Sequence, residues 1–228
     1  MYKKLSNIGD CGIICDFGDE VNKSINTEVI KLFKHVQKHC LDRSLSGILN
    51  CTPSYNKLII TIDLKKTNTN KIFDFLRSVD FSKLNLSESK REWTIPICYD
   101  FGIDLENMSK NLKIDKKEII NIHLNTTFFI YMVGFVPGHP FMGDLDSRLF
   151  LNRLKTPRVK IPAGSVGIVE KFCNIYPYES PGGWNIIGKT PKKIFNIKDN
   201  QNPCLLSPGD TVKFKSISKD EFESLKNE

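Results

Sequence analysis

Long apolar runs are missing from this sequence of 228 residues. No stretch approaches the roughly 20 apolar residues that a helix needs to cross a bilayer. The opening MYKKLSNIGD also lacks the apolar segment of a signal peptide. We therefore expect a cytoplasmic protein with no membrane partner.

Familiar catalytic and metal-binding signatures are missing as well. The sequence contains no GxxxxGK[ST] phosphate loop, no GxSxG elbow, no HExxH motif and no GxGxxG loop. Its seven cysteines follow no repeated spacing, which argues against a disulfide framework and a zinc module. His35 and His39 lie one helical turn apart but lack a third ligand at a supporting spacing. No metal site is predicted, and any handling of ATP would need an unfamiliar site or another polypeptide.

A concentrated basic stripe is the third absence. The formal net charge is +7, but the paired lysines are spread over the whole length: Lys3/Lys4, Lys65/Lys66, Lys116/Lys117 and Lys192/Lys193. Nucleic-acid binding usually clusters such residues and interleaves aromatics. The charge excess instead favours anionic substrates or acidic partners, and no nucleic-acid partner is predicted.

What the sequence does contain is, first, a regular alternation of strand and helix patterns. Apolar residues recur at helical spacing from Ile25 to about Cys40, and Ile72, Leu76 and Val79 form a second stripe. Short apolar runs predict strands at 11–17, 47–51 and 57–63. The order β, α, β, β, α is typical of a small sheet covered by two helices. We predict a ferredoxin-like α/β sandwich over residues 1–88.

The rest of the chain, residues 89–228, has the pattern of many short strands. A polar stretch near 87–91 marks the predicted boundary. Asp115 with Glu118 predicts the start of a helix that runs to about Leu124. Strands are predicted at 93–99, 126–135, 167–170, 184–188, 192–196 and 211–217, and a capping box at Ser218 predicts a final helix. Short strands between frequent turns favour a closed or nearly closed barrel.

Glycine and proline are concentrated between Gly134 and Trp184. The segments GFVPGHPFMG, TPRVKIPAGSVGI and IYPYESPGGW follow one another closely. Glycine permits positive φ and close backbone approach, whereas proline fixes φ and removes a donor. The pattern predicts constructed loops that form a binding surface.

These same segments, together with PGDTVKF at 208–214 and LSNIGDCGIICDFG near the start, resemble the family of the 5-oxoprolinase B-type subunit. This family is also called allophanate hydrolase subunit 1 and includes the histidine-kinase inhibitor KipI. The resemblance implies a C-terminal cyclophilin-like β-barrel and an α+β fold overall. It implies one component of an ATP-dependent enzyme that opens 5-oxo-L-proline to L-glutamate. The implied partners are a subunit-C-type cyclophilin-like protein and a lactam-hydrolase-like A-type subunit.

Three residues are predicted to be catalytic. His123 precedes the long strand and matches a family histidine, so it is an acid/base or anion-contact candidate; a histidine that stabilises the helix C-terminus is the alternative. Arg158, one of a cluster with Arg148 and Arg153, could bind carboxylate or phosphate with two hydrogen bonds. Glu179 is surrounded in sequence by aromatics, and an apolar setting would raise its pKa.

The predicted substrate-binding residues come from the glycine- and proline-rich segments. The Ala163, Gly164 and Ser165 backbone N–H groups could bind a carboxylate or phosphoryl oxygen. His139 takes an aromatic position of the family, which favours stacking over catalysis. The remaining candidates are Pro137, Gly138, Tyr176, Ser180, Gly182, Gly183 and Trp184.

Two other functions remain open at this point. The same loops would serve a KipI-like inhibitor that binds a sensor histidine kinase. A carboxyltransferase domain related to urea carboxylase, working with a biotin carrier, is the third possibility.

Overall fold

The computed structural model describes residues 1–85 and 91–226. The chain divides into two compact units, Met1–Lys90 and Arg91–Glu228. The predicted boundary between residues 88 and 89 lies outside the described residues. Within the described ranges, no helix has the length and apolar character needed to cross a membrane.

The first unit is an antiparallel sheet of four strands packed against helices. Its elements are β1 (Lys4–Ile8), β2 (Gly12–Asp16), α1 (Lys23–Leu41), β3 (Ile48–Pro53), β4 (Lys57–Ile62) and α2 (Thr69–Arg77). The spatial order of the strands is β1-β2-β4-β3. Inward residues of β2 and β4 pack with the apolar faces of α1 and α2, including Ile13, Leu58, Ile60, Leu32 and Ile72.

The predicted order from β2 to α2 is confirmed, but β1 was not predicted from the sequence. Its residues, KLSNI, have no strong apolar alternation, and their strand conformation depends on pairing with β2 across the turn at Gly9, which has a φ of 60°. The two predicted helices begin with asparagine caps, because Asn22 and Asn68 accept hydrogen bonds from backbone N–H groups three residues ahead. The ferredoxin-like description itself stays a prediction.

The second unit is built around a sheet of seven strands with the spatial order β12-β9-β10-β7-β6-β13-β5. Its strands are β5 (Glu92–Ile97), β6 (Phe128–Val133), β7 (Pro140–Gly143), β9 (Ser165–Val169), β10 (Phe172–Ile175), β12 (Asn185–Lys189) and β13 (Thr211–Ser216). Two shorter strands, β8 (Arg158–Ile161) and β11 (Ser180–Gly182), pair separately. The helices are α3 (Leu105–Leu112), α4 (Lys116–Asn125) and α5 (Lys219–Lys226).

A single bridge joins the two ends of the seven-stranded sheet. Cys98 follows β5 and faces Lys189 at the end of β12. The Cys98 N–H donates to the Lys189 carbonyl at 2.8 Å, and the Lys189 N–H donates to the Cys98 carbonyl at 3.0 Å. The sheet is thereby a nearly closed barrel, and the mixed α/β character predicted for the chain is confirmed. The cyclophilin-like name stays a prediction.

The elements of the barrel unit depart from the sequence predictions in two ways. The predicted strand at 192–196 is wrong, since only an isolated bridge between Phe195 and Cys204 occurs there. The glycine- and proline-rich run is also more regular than predicted, because it contains β7 to β11 between its turns. The capping box at α5 is confirmed: the Ser218 N–H donates to the Glu221 carboxylate, and the Glu221 N–H donates to the Ser218 hydroxyl.

Candidate functional site

An aromatic-lined cavity of about 280 Å³ opens on the barrel unit. It is lined by residues from β7, β10, β11 and the loops around them: Phe135, His139, Phe141, Arg153, Leu154, Pro157, Asn174, Tyr176, Pro181, Gly182, Gly183 and Trp184. Five of these, His139, Tyr176, Gly182, Gly183 and Trp184, were predicted from the sequence. The cavity thus brings together parts of three segments that are distant along the chain.

His139 is the most constrained polar residue of this aromatic-lined cavity. It is buried, with 3% of its surface exposed, and its ring stacks on Phe141 with centroids 4.8 Å apart and an angle of 13°. The ring therefore stacks on a neighbouring side chain inside the fold, and stacking against a ligand, the role favoured from the sequence, stays a prediction. The turn before it contains exposed Pro137 and buried Gly138, whose φ of 74° and contact with Phe195 leave no room for a side chain.

The hydrogen bonds of His139 define its protonation state. The Asn174 Nδ2 donates to His139 Nε2 at 2.9 Å. Burial lowers the pKa of His139 to about 4, so the ring is neutral at pH 7 and carries its proton on Nδ1. Within the described residues, this buried Nδ1 has no hydrogen-bond partner. An unpartnered buried donor is costly unless a ligand or water satisfies it.

Tyr176 adds a hydroxyl to the same cavity. Hydrogen bonds from the Asn174 side chain and the Trp184 backbone N–H reach its oxygen, yet burial raises the pKa of Tyr176 above its ordinary value. The phenol is therefore protonated at neutral pH and can donate its own hydrogen bond. Trp184 is buried and makes an edge contact with Phe141, with ring centroids 5.9 Å apart.

Arg153 is the cavity's cation. Its side chain is exposed and, within residues 1–85 and 91–226, forms no ion pair or hydrogen bond. Its positive charge acts on Tyr176 across the cavity and favours the ionised form of that phenol. A guanidinium that is not neutralised by the protein is available to a ligand carboxylate.

Arg158, the arginine favoured by the sequence analysis, has a different position. Its Nη2 donates to Asp104 Oδ1 at 2.5 Å, and Asp104 Oδ2 also accepts from the Ile186 N–H at 2.7 Å. Asp104 is almost fully buried, so this is an internal ion pair. The charge of Arg158 is paired with Asp104, although its buried Nη1 has no hydrogen-bond partner within the described residues, and Arg158 does not line the aromatic-lined cavity.

The N–H groups of the Ala163–Ser165 turn are likewise used inside the fold. The Gly164 N–H donates to the Tyr176 carbonyl at 2.8 Å, and the Ser165 N–H donates to the Pro162 carbonyl at 3.2 Å. Ser165 is buried at the start of β9, whereas Ala163 is exposed. The predicted row of free donors at Gly164 and Ser165 is therefore not present.

Glu179 and Ser180 lie at the pair of strands β8 and β11 rather than among buried aromatics. Glu179 is exposed and its carboxylate lies 3.1 Å from the Lys160 ammonium. The apolar setting predicted for Glu179 is therefore wrong. Ser180 is half-buried in β11 opposite Ile161. Neither side chain lines the aromatic-lined cavity.

His123 lies in the barrel core and is fully buried. Its Nδ1 is 2.7 Å from the Tyr99 hydroxyl, its Nε2 is 3.7 Å from Cys173 Sγ, and burial lowers its pKa to about 3. The structure therefore does not bring His123 together with the cavity residues. Its predicted catalytic role stays a prediction, and its surroundings are those of a core side chain.

Asn174, Phe135 and Phe141 were not proposed as site residues from the sequence. The signal for Asn174 was a lone amide in the apolar strand β10, Phe172–Ile175. Phe135 is a non-glycine residue with a φ of 69° and 83% exposure, at the border of the cavity. Such a backbone conformation is uncommon for an aromatic residue and cannot be derived from the sequence. Among the described residues, no cluster of three potential metal ligands occurs.

Comparisons with known proteins agree with this architecture. The family described as carboxyltransferase domain, subdomain C and D, matches residues 3–206. A Bacillus subtilis protein named as the B-type subunit of 5-oxoprolinase is 33% identical, over 99% of this chain and 97% of its own length. The protein of the same name from Haemophilus influenzae is 40% identical over 59% of this chain and 64% of its own length.

A solved structure shows the same fold. The crystal structure of TTHA0988 superimposes with a TM-score of 0.80 and 28% identity, over 91% of this chain. This chain corresponds to 40% of that longer one. The chain therefore belongs to the carboxyltransferase-domain family of subdomains C and D, and within it to the family of proteins named as the B-type subunit of 5-oxoprolinase.

Proposed function

We propose that this chain is one component of an ATP-dependent 5-oxoprolinase and that its aromatic-lined cavity binds 5-oxo-L-proline. The observation that carries the proposal is the buried, unpartnered Nδ1 of His139 in a cavity with aromatic walls. The names of the relatives supply the substrate, and the cavity supplies groups that match its chemistry.

Each part of 5-oxoproline has a counterpart in the cavity. The flat lactam ring suits the aromatic side chains of Phe141 and Trp184. The ring carbonyl oxygen would accept a hydrogen bond from His139 Nδ1. The carboxylate would pair with the Arg153 guanidinium, and the Tyr176 hydroxyl would donate to either oxygen group.

The role of these residues would be to bind and polarise, rather than to transfer protons. A lactam is unreactive because its nitrogen lone pair is delocalised into the carbonyl, and ATP would supply a phosphoryl group that activates the carbonyl oxygen. A neutral His139 with a pKa of about 4 can donate a hydrogen bond to that oxygen at pH 7 but is a poor general acid. The chemical step then needs groups from other subunits, so we expect little activity from this chain alone.

The test is co-expression with a subunit-C-type protein and a lactam-hydrolase-like A-type subunit. We expect glutamate release from 5-oxoproline that depends on ATP and on all three chains. Arg153→Ala should raise KM for 5-oxoproline by about tenfold or more, because a charged hydrogen bond contributes about 1.5–3 kcal/mol.

Arg148→Ala is the matched control. Arg148 is an exposed arginine of the same region, but its charge is taken by Asp146 and Glu118. It should leave KM unchanged. ATP-dependent glutamate release with equal KM values for the two variants would contradict the assignment of the cavity, and no release from the assembled complex would contradict the function.

A second candidate comes from the family description, which names a carboxyltransferase domain. In that case the same cavity would take part in transferring a carboxyl group from a biotin carrier. The assay separates the two functions, since only the carboxyltransferase would require biotinylated carrier protein. Binding to a sensor histidine kinase also stays a prediction.

A further inference from the structure

A second cavity of the barrel unit is lined by lysines. Its volume is about 350 Å³, and its cationic residues are Lys189, Lys192, Lys193 and Lys226. A neighbouring cavity of about 400 Å³ shares Lys192, Lys193 and Lys226 with it. We call the two together the lysine cleft. Its volume lies in the range of small-molecule sites.

The charges of the lysine cleft are poorly neutralised by the protein. Lys226 is near Glu223, at 3.7 Å, but both side chains are more than half exposed. For Lys189, Lys192 and Lys193, the described parts of the chain provide no carboxylate partner. Lys189 lies over the Phe222 ring, with its ammonium 5.8 Å from the centroid. Four like charges around one concave space repel one another, and a bound anion would relieve that repulsion.

Fixed backbone surrounds these flexible side chains. Pro191 lies between Thr190 and Lys192, and the Lys192 N–H donates to the Thr190 hydroxyl at 3.1 Å. The Thr190 N–H in turn donates to the Gly164 carbonyl at 2.8 Å. Thr190 and Phe222 are buried. The stems of Lys189, Lys192 and Lys193 therefore start from a hydrogen-bonded part of the barrel, whereas Lys226 is the last residue of helix α5.

The lysine cleft adjoins the aromatic-lined cavity. Tyr176 borders both, with the Gly164 turn on the lysine side and Gly182 and Trp184 on the other. An anion in the lysine cleft and a ligand in the aromatic-lined cavity would thus lie on opposite sides of Tyr176.

We propose that the lysine cleft binds the phosphate chain of a ligand that carries several linked phosphates. A nucleoside triphosphate is the ligand of this class that suits the reaction proposed for the neighbouring cavity. This assignment of the ligand rests on the proposed function, whereas the binding of phosphate groups rests on the cleft alone. Lysine ammonium groups bind phosphates as point charges and need no special loop. The absence of a GxxxxGK[ST] motif is therefore compatible with a phosphate site here.

The experiment is isothermal titration calorimetry of the full chain with ATP, tripolyphosphate and adenosine at two salt concentrations. We expect ATP and tripolyphosphate to bind, adenosine not to bind, and affinity to fall as salt rises. Lys192→Ala with Lys193→Ala should weaken ATP binding by about tenfold or more. Tripolyphosphate binding that exceeds ATP binding would identify an inorganic polyphosphate as the ligand.

Lys65→Ala with Lys66→Ala is the control, because it removes the same charge from a lysine pair of the first unit. It should leave ATP affinity unchanged. No ATP or tripolyphosphate binding by the unaltered chain would overturn the proposal, and so would an equal loss in both double variants. The circular dichroism spectrum of each variant shows whether it is folded.

The failure of this proposal is distinguishable from the failure of the proposed function. If the co-expressed subunits release glutamate with an unchanged KM for ATP in the Lys192→Ala, Lys193→Ala variant, the function holds and the cleft is not the phosphate site. If the chain binds ATP through these lysines but no assembled complex releases glutamate, the cleft holds and the function does not.

Discussion

His139 has a fixed orientation in the aromatic-lined cavity, where it can donate a hydrogen bond but is a poor general acid. Stacking on Phe141 fixes the ring plane, and the Asn174 amide fixes the tautomer. The pKa of about 4 removes its positive charge at neutral pH. What remains is a neutral N–H donor in a buried aromatic setting, where a hydrogen bond is stronger than in water.

Two substitutions of His139 distinguish its two nitrogens. In His139→Asn the amide nitrogen can take the place of the Nδ1 donor, and in His139→Gln the amide oxygen can take the place of Nε2 as the acceptor for Asn174. We expect kcat/KM for 5-oxoproline in the assembled complex to fall about threefold to tenfold further in the glutamine variant, the range of one neutral hydrogen bond. A larger loss in the asparagine variant would show that Nε2, not Nδ1, contacts the substrate.

Residue chemistry predicted some of the candidate site but not which groups the protein itself uses. His139, Tyr176 and Trp184 could be proposed because their segments combine turns with aromatics. Arg158 could not be evaluated in this way, since its partner Asp104 is 54 positions away in sequence. The resemblance to the family favours Arg158 over Arg153, but it does not show which of the two guanidinium groups is paired within the protein. Only the folded chain shows that one is neutralised and the other is available.

At the scale of elements, strand β11 contributes a backbone that passes very close to the cavity. A Cβ on Gly182 would overlap the Tyr176 hydroxyl oxygen and lie 2.8 Å from Ile161 Cδ1. A Cβ on Gly183 would have its nearest contact at 3.7 Å, with Pro157. A side chain is therefore sterically excluded at Gly182 but not at Gly183.

Gly182→Ala should displace the Tyr176 hydroxyl from Asn174 and the Trp184 N–H. We expect a fivefold to tenfold increase in KM for 5-oxoproline, with a decrease of about 1–2 kcal/mol in the free energy of unfolding. Gly183→Ala is the control for stability and should leave the free energy of unfolding unchanged, because its Cβ would meet nothing closer than 3.7 Å. Kinetics of the assembled complex and urea unfolding of the single chain are the two measurements. A normal KM in Gly182→Ala would show that Tyr176 does not contact the substrate.

Periodicity predicted the long elements well and the short strands poorly. Helices α1 and α4 and strands β6 and β13 have patterns that their own residues determine. Strands β7, β8 and β11 consist of residues such as Pro140, Arg158 and Gly182, whose conformation depends on neighbours far along the chain. The closing bridge between Cys98 and Lys189 has no sequence signature at all.

At the scale of the whole barrel unit, two buried histidines make stability depend on pH. Burial lowers the pKa of His123 to about 3 and that of His139 to about 4, whereas the unfolded chain has the ordinary value of 6.5. Below pH 6.5 the unfolded state therefore binds protons that the folded state does not. Stability should be fully present above pH 6.5 and decrease as pH falls toward 4, by up to about 1.4 kcal/mol per pH unit for each histidine.

Urea unfolding between pH 7.5 and 4.5 tests this dependence. His123→Asn keeps an acceptor for the Tyr99 hydroxyl but removes one titrating group, so its stability should vary less steeply with pH. His39→Gln, in helix α1 of the first unit, should leave the slope of the barrel transition unchanged. An unaltered slope in His123→Asn would contradict the prediction, because it would show that His123 binds no proton on unfolding. His123 would then be either already charged in the folded chain or still neutral in the unfolded chain.

Lys189 has two roles that its backbone and side chain divide between them. Its main chain forms the bridge with Cys98 that joins β12 to β5, and its ammonium belongs to the lysine cleft. A ligand bound to that ammonium would therefore also stabilise the contact between β12 and β5 that closes the barrel. Ligand binding in the lysine cleft should reduce local opening of this bridge and slow hydrogen–deuterium exchange of the Cys98 and Lys189 amides. The exchange rates of these two amides then indicate whether the cleft is occupied.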